Sequence, residues 1–294
     1  MTGMDEGGKS QAPGARGDAA AWPVRSASIT RDGIEIPFEV AGHDGGPCLL
    51  FGHGLTASGL GTTTTFGPLL QAGWRVVVMD QRGHGTAGNP RGPDGFAVEA
   101  MGADLIAIAD AVDPRPVHFG GGSMGAATAI AAAALAPHRT AGLALVGPAF
   151  GHAAPDGLTI FVEVAEAYAT GSREAGETAW RQALGAVGAD DATLDQQLAA
   201  QRHLDVDVLA WMLATIPRWK LGRHLDTVAE LDLPAAVVAW DGDSIHPMSV
   251  AEEIATAWPR ATLHRWDVAR DGLDADAMAR VLVTMLDAPA ARRP

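Results

Sequence analysis

An α/β fold with a mostly parallel central sheet flanked by helices is what this sequence predicts, on three observations. Short apolar runs rich in Val and Leu recur along the chain, with helical stretches between them. One run, Val117-His118-Phe119, leads through Gly120-Gly121-Gly122-Ser123-Met124-Gly125 into an alanine-rich segment reaching about Ala136. That reads as strand, tight turn and helix. Strand signals then vanish over residues 151–231 before resuming near 235, so a helical block is inserted within the sheet order.

Taken in order, residues 26–30 and 34–40 flank Arg31-Asp32-Gly33 and predict an antiparallel hairpin, Asp-Gly being a strong turn pair. Strands are expected at 48–51, 75–79, 117–119 and 142–146, then at 235–240 and 262–266, with a last helix over 274–286. Within 151–231 the pattern is helical, broken by Gly171, Gly176, Gly185 and Pro217. Phe161, Tyr168, Trp180, Trp211 and Trp219 are scattered through it. Aromatic residues at helical spacing ordinarily pack a core, while those turned to a cleft would line an apolar pocket.

Composition narrows the function classes. The 294 residues, 47% hydrophobic, suffice for one large α/β domain with an insertion. A formal net charge of −14 argues against nucleic acid and anionic membrane surfaces as partners. Cys48 is the only cysteine, so no intrachain disulfide or thiolate metal site forms. Lys9 and Lys220 are the only lysines among many arginines, the coding bias of a GC-rich bacterial genome. No apolar run is long enough to span a membrane, and the Gly-, Ala- and Ser-rich residues 1–22 read as a disordered tail without the pattern of a secretory signal. The expectation is a cytoplasmic protein acting on a small molecule, with a homodimer left open. The glycine run does not continue into a dinucleotide fingerprint and no phosphate-loop lysine follows, so no cofactor is expected.

Ser123 stands in the pattern G-x-S-x-G, where a sharp strand-to-helix turn lifts its oxygen clear of the sheet beside free backbone N–H groups. Alone, the pattern is equally met by a helix-capping serine. Two further motifs join it in order: Phe51-Gly52-His53-Gly54-Leu55 after one strand and Asp80-Gln81-Arg82-Gly83-His84-Gly85 after the next. Together the three resemble the α/β-hydrolase superfamily, and the resemblance runs from about residue 26 onward. It implies a core formed by 23–150 and 232–294, a cap from 151–231 over the site, and Ser123 as nucleophile. The oxyanion donors would be the backbone N–H groups of Met124 and Leu55. His53 and His84 would be structural.

The acid and base are less regular. The loop Trp240-Asp241-Gly242-Asp243-Ser244-Ile245-His246-Pro247 resembles the family's G-x-x-D-x-x-x-P, favouring Asp243 as the acid over Asp241. The family's usual Gly-His before the last helix is replaced by Arg270-Asp271, and a carboxylate with a pKa near 4 is a poor base. His264 lies too early, within a strand. His246, three residues after Asp243, is the candidate that restores a triad. Three functions fit this pattern: a serine hydrolase of an apolar ester, lactone or thioester using Ser123, His246 and Asp243 or Asp271; a non-hydrolytic lyase or cyclase of secondary metabolism; and a catalytically silent ligand-binding protein.

Overall fold

The computed structural model describes residues 22–154, 156–170, 172–272 and 274–287; of the tail expected over 1–22, only Trp22 falls within them. The hairpin forms as expected. Strand β1 (Arg25–Arg31) turns through Asp32 and Gly33, at φ 56° and 74°, into β2 (Ile34–Gly42). Two consecutive positive φ values give the turn the twist that paired strands require, which explains the Asp-Gly pair. Ile34, Ile36, Phe38 and Val40 alternate inward along β2.

The remaining strands are β3 (Cys48–Gly52), β4 (Arg75–Met79), β5 (Val117–Gly122), β6 (Thr140–Val146), β7 (Ala235–Ala239) and β8 (Ala261–Arg265). They form one sheet in the order β1-β2-β4-β3-β5-β6-β7-β8, antiparallel at β1/β2 and β2/β4 and parallel elsewhere. Every residue of β4 and β7 is buried, as continuous apolar runs covered on both faces must be. Strand β5 outruns its sequence signal. Glycines 120–122 have low strand propensity, yet Gly121 and Gly122 pair with Leu145 and Val146 on β6.

Helices α1 (Gly67–Gln71), α2 (Val98–Val112) and α3 (Met124–Leu135) join the first six strands. In α3, residues 124–133 are all buried, and its small alanines let α2 pack closely against it. Between β6 and β7 run α4 (Thr159–Thr170), α5 (Arg173–Ala186), α6 (Asp191–Gln201), α7 (Val206–Thr215) and α8 (Gly222–Ala229). The side chains of Ser172 and Asp190 cap α5 and α6 by accepting from Ala175 N and Thr193 N, at 3.3 and 2.8 Å. The two stems of this stretch meet where Leu221 N donates to Gly151 O at 2.9 Å. Helices α9 (Met248–Ala257), α10 (Val268–Asp271) and α11 (Ala275–Asp287) are the last among the described residues.

The apolar core lies in two layers. One joins α2, α3 and α4–α8 to one sheet face; the other packs α1 and α11 on the opposite face. Most of the helical-segment aromatics belong to the first layer. Tyr168 is buried against Gly176, and Trp219 is buried with its Nε1 donating to Phe96 O at 3.1 Å. Among the described residues no helix is long and apolar enough to cross a membrane.

Candidate active site

The parallel strands end on one side of the sheet, and the loops that leave β3, β5, β6 and β7 there converge on one cavity. Ser123 follows β5 at φ 53° and ψ −112°, a conformation that side-chain-bearing residues rarely adopt. Its N–H donates to Val146 O at 2.9 Å, tying the turn to the end of β6. The glycines on either side are required by close approach. A Cβ on Gly121 would lie 2.2 Å from Gly125 C, and one on Gly125 would lie 2.0 Å from Gly52 O. The G-x-S-x-G spacing therefore presses the first turn of α3 against both β5 and the end of β3.

The loop after β3 is held from beneath by the second motif. His53 accepts the backbone N–H of Gln81 at Nε2 (3.0 Å), so its Nδ1 carries the proton donated to Gly54 O at 2.7 Å. Gln81 donates its amide to His53 O at 2.8 Å and accepts from Thr128 at 3.0 Å. Asp80 gathers donors from Ser58, Gly59, Leu60 and Thr86 at 2.7 to 3.1 Å. Burial works to raise this carboxyl, but those donors outweigh it and hold it below the usual carboxylate range. Arg82, 2% exposed, makes a two-pronged pair with Asp104 at 2.6 Å. Burial pushes the His84 imidazole down to about 3, and His84 Nδ1 donates to Arg82 O at 3.0 Å. All five side chains, of His53, Asp80, Gln81, Arg82 and His84, are buried in the scaffold, and both histidines sit as framework groups.

The backbone N–H groups of Leu55 and Met124 find no acceptor among the described residues, and both residues line the cavity with Ser123. Thr56, at φ 63°, occupies the third position of the turn closed by Ala57 N to Gly54 O at 3.2 Å. The free amides at the start of α3 add the positive end of the helix.

On the other wall stands the loop after β7. Asp243 Oδ2 lies 2.8 Å from His246 Nδ1, and the same oxygen accepts from Trp240 Nε1 at 3.0 Å. Oδ1 accepts the backbone N–H groups of Ile245 and His246 at 2.8 and 3.0 Å. Burial works against the charged form of Asp243, but the hydrogen bonds and charge of His246, with the backbone donors, hold its carboxyl far below the usual range. A carboxylate only accepts, so Nδ1 of His246 carries a proton, and in the neutral ring Nε2 is the acceptor. The ring sits by the end of β6. A Cβ on Gly147 would lie 3.5 Å from its Cγ, and Gly147 directly follows the Val146 carbonyl that anchors Ser123. His246 and Ser123 line the same cavity of about 240 Å³.

Other candidates lie apart. Asp241 is exposed and faces Arg265 at 3.4 Å. Asp271, on α10, pairs with Arg270, which holds its carboxyl below the usual range; it does not line the Ser123 cavity. His264 lies on β8 against Trp266, with ring centres 5.9 Å apart. Beyond the opposite flank of the elbow lies a second cavity of about 340 Å³, lined by Gly122, Val146 and residues of α11 such as Ala275 and Met278. Asp271, four residues before Ala275, does not reach it.

Much of the rest of the first cavity is hydrocarbon, including Phe150, Leu158, Phe161, Leu184 and Ile216, with Thr56 and Gln197 as polar exceptions. Phe161 is the aromatic of the helical segment that reaches the cavity, with Trp180 behind it at a ring separation of 5.5 Å. Gln197 carried no sequence signal, since it is one of several polar residues on a helix of low amphipathic contrast.

A family model described as alpha/beta hydrolase fold matches residues 47–269. A 2-hydroxy-6-oxononadienedioate/2-hydroxy-6-oxononatrienedioate hydrolase of Pseudomonas putida is 28% identical over 235 residues, covering 74% of this chain and 77% of the relative. With three further curated relatives, 29%, 31% and 34% identical, the matched stretch spans only 30%, 46% and 42% of the relative's own length. Among solved structures, a hydrolase from Pseudomonas aeruginosa superposes with a TM-score of 0.69 at 22% identity, covering 92% of this chain and all 100% of that one. The enol-lactonase from Burkholderia xenovorans gives 0.67 at 21% identity, covering 89% of this chain and 100% of its own. With the sheet order and the serine turn described above, these matches establish that the chain belongs to the α/β-hydrolase fold family.

Proposed function

We propose that this protein is a serine hydrolase of the carboxylic ester type, acting on an ester, lactone or thioester of a mainly apolar small molecule. Ser123 is the nucleophile, His246 the base and Asp243 the acid that orients it. The observation that carries the reading is the Asp243–His246 pair, whose imidazole lines the Ser123 cavity and, when neutral, has Nε2 as its acceptor. Support also comes from the hydrolase names of the relatives in this family.

In the proposed reaction Ser123 Oγ attacks the carbonyl carbon while its proton passes to His246 Nε2. The negative charge on the carbonyl oxygen is met by the N–H groups of Leu55 and Met124. Collapse breaks the bond to the leaving oxygen or sulfur, which takes the proton from His246. Water then attacks the acyl-serine with His246 again as base, releasing the acid and restoring the serine. Asp243 stays ionised and stabilises the imidazolium. The residues between β6 and β7 act as a cap that shapes the cavity for the apolar body of the substrate.

A second reading, a lyase, cyclase or ligand-binding protein on the same scaffold, draws on one observation: the Ser123 hydroxyl makes no hydrogen bond among the described residues. Fluorophosphonate labelling of the folded protein separates the two. Covalent modification at Ser123, lost in Ser123→Ala, together with turnover of p-nitrophenyl esters, supports the hydrolase. Absence of both rejects it.

A further inference from the structure

The proposal concerns what the cavity selects, and it rests on the hydrolase reading above. Close to Ser123 the polar groups are those of the reaction and the hydroxyl of Thr56. Away from it, the wall supplied by α4, α5 and α6 is apolar except for Gln197. The amide of Gln197 has a fixed orientation. Trp180 Nε1 lies 3.2 Å from Gln197 Oε1, and an indole N–H can only donate, so the amide oxygen must face it. Trp180 is 1% exposed and backed by Phe161, so it holds that oxygen from within the packed interior of the helical segment. The amide nitrogen is left over. It has no partner among the described residues, and unlike the amide oxygen of Gln201 one turn later it is not sealed from open space. A donor oriented by Trp180 and without a protein acceptor, on a wall of α4–α6 that is otherwise hydrocarbon, is available to an acceptor on a bound molecule.

The lining carries no Lys, Arg, Asp or Glu among the described residues. An ionised tail would be stripped of water there without a counter-charge. The cavity therefore suits a neutral molecule, in contrast with the dioate in the name of the Pseudomonas putida relative.

We propose that Gln197 is a specificity-determining residue, donating from Nε2 to an acceptor oxygen carried by an uncharged substrate at a distance from its scissile carbonyl. The substrate class is a small neutral ester, lactone or thioester whose apolar body bears a keto or ether oxygen toward the helical segment. A substrate lacking that oxygen leaves the donor desolvated and unpaired, which disfavours it roughly tenfold to a hundredfold.

The test compares p-nitrophenyl octanoate with its 4-, 5-, 6- and 7-oxo derivatives and with the p-nitrophenyl monoester of octanedioic acid. The readout is the ratio of kcat/KM for each oxo ester to that for the plain ester, within one protein preparation. That ratio is independent of the folded fraction. Wild type should favour at least one oxo position by roughly tenfold or more, and Gln197→Leu should bring that ratio close to one. Trp180→Phe, which frees the amide to rotate, should lower it partway. The carboxylate ester should be the poorest substrate of wild type. Equal rates for all oxo positions and the plain ester in wild type, or an oxo preference that survives Gln197→Leu, would overturn the proposal. So would a preference for the carboxylate. If no ester is turned over, the hydrolase reading fails, and the donor is then read by calorimetric binding of octanamide and its oxo derivatives. An oxo preference in wild type that disappears in Gln197→Leu retains the recognition element; no preference rejects it.

Discussion

Asp243 is the residue on which the candidate site turns, because it joins two functions in one carboxylate. One oxygen fixes the loop through the backbone of Ile245 and His246, and the other fixes the ring of His246. Asp243→Asn places an amide where donors already point, so the imidazole loses its forced tautomer; kcat should fall about 10⁴-fold with little change in KM, measured on p-nitrophenyl esters. Ser123→Ala and His246→Ala should each lower kcat by about 10⁴- to 10⁶-fold, and the double variant should fall no further, since triad members act as a unit. Asp271→His is the informative control. Its side chain is committed to Arg270 outside the Ser123 cavity, so a histidine there should bring no gain in esterase activity. A rise of tenfold or more in Asp271→His, with His246→Ala silent, would assign the base to the other flank of the elbow.

At the scale of elements, the sheet and the elbow were legible because their signals are local. Alternation, valine runs and Asp-Gly report a strand or a turn from neighbours in sequence. The extension of β5 through glycine was not, because its pairing energy comes from β3 and β6. The contact between Asp243 and His246 was readable because the two are three residues apart. Gln197 and Trp180, seventeen residues apart on separate helices, met only on packing, and no periodicity marks such a contact. The elbow also makes a stability prediction. Gly125→Ala forces a methyl group into the carbonyl of Gly52, where neither backbone can yield without separating α3 from β3. Unfolding by urea should show a loss of about 3 kcal/mol or more, well beyond the usual surface glycine-to-alanine change.

For the whole molecule, the framework histidines set a pH dependence of stability. His84 is neutral when folded, with its pKa pushed down to about 3 against an ordinary value of about 6.5. The unfolded chain therefore takes up a proton first as pH falls. The stability owed to neutral His84 is complete above about pH 6.5 and is lost progressively as pH drops toward 3. Denaturation midpoints measured from pH 8 to pH 4 should decline on the acid side, and His84→Gln should flatten that decline. An equally steep decline in the variant would remove His84 as its source.

The hydrogen bond between Leu221 and Gly151 has a consequence for how this protein can change over time. Because the stems of the β6–β7 stretch are pinned together at 2.9 Å, the sheet experiences the intervening residues as a closed loop, whatever they contain. Lengthening such a loop is inexpensive, about 0.6 kcal/mol for each doubling. The groups proposed to break bonds stand on strand ends outside the loop, whereas the wall bearing Gln197 and Phe161 lies within it. Selection can therefore rewrite which molecules are accepted by exchanging one detachable stretch of chain, leaving the bond-breaking apparatus as inherited.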